Sequence, residues 1–183
     1  MSAVKKMCIC AFLTAMCYVL PQAFHILPLG IALSPMHLPV LLCGLVCGWP
    51  YGLFCGLVGP VLSHLLSTMP PMPVLIAMVP ELGVYGLTAG LGMKLIRTGR
   101  TLPDVYLSLL PALVLGRIAG GVVQALLYLS RTESYTIALW AGSYVVGTLP
   151  AIVLQLVVLP ALVWGLMRAK LIPARYPAKE ALA

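Results

Sequence analysis

The sequence predicts an all-α integral membrane protein, a bundle of six transmembrane helices with both termini on the cytoplasmic side. Three observations carry that prediction. Only 8% of the 183 residues are charged, against about one quarter in soluble domains, while 62% are hydrophobic. Residues 7–80 and 134–167 contain no formal charge at all. The basic residues are concentrated in short segments: Lys5 and Lys6 at the start, Lys94, Arg97 and Arg100 in one central loop, and Arg168, Lys170, Arg175 and Lys179 in the tail. Short loops rich in Lys and Arg stay in the cytoplasm, so these three segments face inside and the number of crossings is even. A crossing needs roughly 20 apolar residues. The length of the first uncharged stretch therefore favours four crossings before the central loop, and two follow it. This arithmetic excludes a disordered chain, a secreted disulfide scaffold and a nucleic-acid-binding domain, although a net charge of +7 alone has the sign of the last.

In order, the helical windows are 4–20, 38–49, 51–67, 74–96, 105–129 and 137–167, forming one domain over 1–183. The first follows Lys5-Lys6 and matches the charged and apolar regions of a signal peptide. Pro21-Gln22-Ala23-Phe24 offers no small-x-small cleavage site, so the segment is expected to remain as a span. The second is too short to cross about 30 Å of hydrocarbon unaided; Pro35 and Pro39 precede and open it, and a broken segment from Gly30 is expected to supplement it. Pro50 marks a tight inner turn before the third window, because a proline fits a first helical turn and disrupts an interior. Pro150 and Pro160 fall in the last window, where kinks are expected rather than stops, since neighbouring helices can satisfy the freed carbonyls.

Gly44, Gly48, Gly52 and Gly56 recur every four residues, with further pairs at Gly86/Gly90 and Gly116/Gly120. Helices in lipid attract by close backbone packing, which small residues permit, so these positions are expected at helix contacts. All six cysteines lie in the first three windows and fit packing as small apolar side chains. No CxxC or Cys/His array implies a metal, and no cofactor is implied.

Ionisable groups at membrane depth cost several kcal/mol and mark functional sites by default. Arg117 lies near the middle of the fifth window, with Gln124 and Tyr128 on the same face. Glu81 lies in the outer half of the fourth, with Tyr85 and Thr88 one and two turns on. His64 ends the third beside Ser63 and Ser67, and Trp140, Tyr144, Thr148, Ala151 and Gln155 share a stripe of the sixth. All these stripes become polar towards the outside. They describe an outward-facing pocket lined by spans three to six and capped by loops 21–37 and 67–73. Arg117 either pairs with Glu81 to make burial tolerable or meets the carboxylate of an anionic ligand in bidentate geometry. His25 and His37 fall in the outer loop, within reach of a ligand, although loop histidines are commonly solvated. Tyr18, Tyr51, Tyr106 and Trp164 read as interfacial anchors.

The chain is not expected to be an enzyme. It has no GxxxxGK[ST], GxSxG or HExxH segment, and its single aspartate, Asp104, sits in a cytoplasmic turn.

The stretch Ser34-Pro35-Met36-His37-Leu38-Pro39-Val40-Leu41-Leu42-Cys43-Gly44, then Gly48-Trp49-Pro50-Tyr51-Gly52, Met69-Pro70-Pro71-Met72-Pro73 and Glu81-Leu82-Gly83-Val84-Tyr85-Gly86-Leu87 resembles a family. That family is the substrate-binding S components of energy-coupling-factor (ECF) vitamin transporters; the likeness is detailed over 34–92 and topological elsewhere. Ala11 and Ala15 match the AxxxA motif that, in this family, packs the first helix against the transmembrane T component. The resemblance implies a prokaryotic plasma-membrane protein whose partners are a small vitamin substrate, a T component and two ATPase subunits. The S component is thought to topple within the bilayer to deliver its ligand. Arg117, Glu81, Gln124, Tyr85, His64, His37, Trp140 and Tyr144 are the expected substrate-binding residues, and pantothenate or another vitamin or precursor is the expected substrate. The alternatives are a membrane scaffold or assembly protein and a proton-coupled carrier without an ATPase partner.

Overall fold

A computed structural model describes residues 1–25, 33–130 and 135–176. The described chain is helical, without strands. It comprises α1 (Ala3–His25), α2 (His37–Cys47), α3 (Trp49–Ser67), α4 (Met72–Leu95), α5 (Thr101–Ser130), a single turn α6 (Ile137–Trp140) running into a π-helical stretch (Ala141–Val146), and α7 (Leu149–Arg168). Five helices, α1, α3, α4, α5 and α7, are long and apolar enough to cross a membrane. With 11 residues, α2 is as short as its window implied, about 16 Å of helix. The supplement expected from Gly30 begins outside the described residues, and residues 33–36 form a turn rather than a helix.

Two windows differ from the structure in an instructive way. The last, 137–167, is broken: the π-helical stretch ends at Val146 and α7 restarts at Leu149 with Pro150 in its first turn. A first-turn proline lacks only an N–H that has no intrahelical partner, so Pro150 begins a helix where a kink was expected. Pro160, by contrast, is carried inside α7. The first window stops at residue 20, yet α1 runs through Pro21 to His25.

Helix α4 forms the centre, with Leu82, Tyr85 and Ala89 fully buried against α2, α3 and α5. Glycines make this possible. Gly48, the one residue between α2 and α3, has φ +98°, a conformation L side chains rarely adopt, and it reverses the chain ahead of Pro50. Gly44 and Gly52 then both close on the Gly86 carbonyl, while Gly56 meets the backbone at Leu82 and Gly90 the backbone at Trp49. The expected helix-contact role of the glycine repeat thus takes a specific form, α2 and α3 sharing one stripe of α4.

The two ends of the bundle differ in charge. At one end lie Lys5 and Lys6, the α2–α3 turn, Lys94, Arg97 and Arg100, and the tail with Arg168, Lys170 and Arg175. Tyr51 and Trp164 lie beneath Lys6 and Arg168, with 5.9 and 3.9 Å from cation to ring centre. Here the fully buried Asp104 accepts hydrogen bonds from the Thr98 amide (2.8 Å) and hydroxyl (2.6 Å), from Arg175 Nε (2.6 Å) and from the Tyr176 hydroxyl (2.6 Å). Arg175 also donates to the Ile96 carbonyl. The tail is therefore clasped to the α4–α5 connection, a link between two segments that the sequence presents only as separate charged patches.

Candidate functional site

At the opposite end a cavity of about 770 Å³ opens between the helices. Its rim is formed by Pro21, residues 34–37 and residues 69–71, and its depth by Glu81 on α4 and Arg117 on α5. The expected lids 21–37 and 67–73 thus contribute where they are described, and residues 26–32 lie outside the described residues. Apolar groups such as Val74, Ala77 and Met78 make up much of the wall.

The floor is one hydrogen-bonded network. Arg117 Nη1 donates to the Tyr85 hydroxyl (2.8 Å), which donates to Glu81 Oε1 (3.2 Å). Glu81 and Arg117 are both more than nine-tenths buried, yet no direct ion pair joins them among the described residues. A tyrosine hydroxyl bridges the two instead, so the pairing weighed from the sequence is indirect. Its Nε donates to the Tyr144 carbonyl (2.8 Å), Nη1 also to the Leu113 carbonyl (3.1 Å), and Nη2 to Thr148 Oγ1 (3.2 Å). Thr148 itself donates to the Tyr144 carbonyl (2.6 Å). Buried charge is tolerable when it is hydrogen-bonded, and four of the five Arg117 N–H groups are bonded here.

His37 is the first residue of α2 and is buried, not a solvated loop side chain. Its Nε2 lies 3.5 Å from Glu81 Oε1 and its ring stands edge-on to Tyr85, 5.2 Å between centroids. Glycines of α5 make room for this layer, since Gly116 faces the Tyr85 ring and Gly120 the Glu81 carboxylate.

Of the expected site residues, Arg117, Glu81, Gln124, His37 and Tyr144 line the cavity. Three do not. Tyr85 is fully buried behind the wall as the bridge. Trp140 packs on Gly121 and donates from Nε1 to the Arg117 carbonyl (3.2 Å), bracing α5 from outside. His64 Nδ1 donates to the Pro70 carbonyl (2.7 Å), and Ser63 to that of Met69 (2.9 Å), so the outer end of α3 holds the 68–71 loop in place.

Ser143, Thr148, Tyr128 and Tyr135 also line the cavity without standing among the expected binding residues. Ser143 escaped because the stripe through Trp140, Tyr144 and Thr148 assumed an unbroken α period, whereas the π-helical stretch inserts an extra residue per turn and rotates the face. Tyr135, an aromatic two residues after Glu133 in the expected outer turn, was the available signal for the fourth.

The fold and site define a multi-pass helical membrane protein with a ligand-sized internal cavity. The family profile described as ECF transporter, substrate-specific component, matches residues 5–163, and the chain belongs to that family. It is a membrane substrate-specific subunit of ECF transporters, a class that binds substrate and is not enzymatic. Searches of curated proteins and of solved structures found no match.

Proposed function

We propose that the chain is the vitamin-binding S component of an ECF-type importer in a prokaryotic plasma membrane. It takes a vitamin or vitamin precursor into the cavity from outside and hands it on together with a T component and two ATPase subunits. The cavity carries this reading: about 770 Å³ falls within the 300–1,000 Å³ of small-molecule sites, with an apolar wall and few polar groups. In this reading the chain is one domain that crosses the membrane six times, α2 making the second crossing. Both termini lie inside, in keeping with the basic end.

Thermal unfolding of the purified protein against a panel of vitamins and precursors, pantothenate included, tests it. A true ligand at 100 times its dissociation constant is expected to add about 2.7 kcal/mol. A panel without any stabilising member would instead favour a scaffold role.

Ala11 and Ala15 are both exposed on α1, one turn apart and flanked by exposed Met7, Phe12 and Val19. This strip fits close approach of a partner helix through small residues. The double substitution Ala11→Trp with Ala15→Trp is expected to abolish co-purification with the T component while leaving ligand affinity within about twofold, because neither residue touches the cavity. An intact complex would assign the strip to lipid.

A further inference from the structure

Arg117 has little left to offer a ligand. A guanidinium has five N–H groups, and four are committed to Tyr144, Tyr85, Leu113 and Thr148. One remaining N–H on Nη2 cannot form the two-pronged fork that holds a carboxylate. Glu81 is in the opposite condition. Its Oε1 serves Tyr85 and His37, while Oε2 accepts no hydrogen bond from the described residues and sits on the cavity side of α4 beside Gly120. That oxygen is not among the fully buried atoms, so it stays open to a donor entering the cavity, and a negative ligand placed against it would add like-charge repulsion.

The rest of the wall supplies a complementary surface. Tyr128 and Tyr135 stand with ring centroids 5.1 Å apart, inclined at 49°, and the buried Tyr135 hydroxyl has no partner among the described residues. Gln124 is likewise without a side-chain hydrogen bond to any described residue.

We propose that the cavity selects a nitrogen heterocycle carrying a positive charge or an N–H donor, with the donor on Glu81 Oε2 and the ring against Tyr128 and Tyr135. This rests on the S-component reading and replaces the carboxylate ligand expected from Arg117 in the sequence. Glu81 is then the specificity-determining residue, and Arg117 the group that holds its network in place.

The test uses the full-length chain in detergent, with thiamin and pyridoxamine as cationic heterocyclic probes and pantothenate, biotin and nicotinate as carboxylate probes. Calorimetry is expected to show binding of a cationic probe and none of the carboxylates. Glu81→Gln keeps the shape but removes the charge, and should weaken that probe at least about 30-fold. Should Glu81→Gln fail to fold, Gln124→Glu decides: added negative charge tightens a cationic probe and weakens a carboxylate. A carboxylate that binds the wild type and survives Glu81→Gln overturns the selectivity while leaving the S-component reading intact. No binding by any probe of either class, extended to the full vitamin panel, overturns both.

Discussion

Gly86→Ala is expected to destabilise the protein by about 3 kcal/mol, the upper end of what overpacking costs. Most small-to-large changes are eased by a side chain swinging aside, and none is available here. A Cβ on Gly86 would overlap the backbone of Gly52, and that same Gly86 carbonyl is the surface on which Gly44 of α2 rests. Relief requires α3 to move away from α4, which opens the α2 contact as well. Gly165→Ala in α7 provides the control, since a Cβ there meets nothing within 4 Å. It should be neutral or stabilise by about 0.5–1 kcal/mol through the lower entropy of alanine in a helix. Melting of both variants in detergent checks the contrast, and a small effect at Gly86 would mean that the α2–α3–α4 contact is looser than the backbone geometry requires.

That contact also shows what a sequence of this kind makes legible. Glycines every fourth residue, and a proline after Gly48, are local signals with one physical meaning, so the turn and the packing faces could be read directly. The charge pattern was equally plain, because Lys and Arg avoid hydrocarbon whatever the tertiary structure. Partners across the bundle were less accessible. Glu81 and Arg117 stood out by their cost, but nothing in their spacing says that Tyr85 lies between them; that follows from how α4 and α5 pack around Gly116 and Gly120. The Asp104 clasp was hidden for the same reason, as Arg175 lies 71 residues away. The break before α7 was missed because a first-turn proline and a mid-helix proline look alike until the helix is seen to stop.

Arg117→Met is expected to lower stability by about 3 kcal/mol even without ligand. The change keeps much of the volume but leaves the Tyr144 carbonyl, the Thr148 hydroxyl and Tyr85 short of a donor or a charge, and removes the cation that offsets Glu81 through Tyr85. Arg117→Lys should recover only part of the loss. An ammonium is a compact point charge, and its three donors cannot reach acceptors on α4, α5 and the π-helical stretch together. The sharper test is the double variant Arg117→Met with Glu81→Gln. Neutralising the carboxylate removes the stranded charge, so the double variant should melt above Arg117→Met alone, the non-additivity expected of groups in one network. Melting curves for the two single variants and the double, taken with and without probe, separate the roles. If Arg117→Met melts like the wild type and has lost only its affinity for a carboxylate, Arg117 is a ligand clamp after all, and the network on the cavity floor is a consequence of its position, not the reason for it.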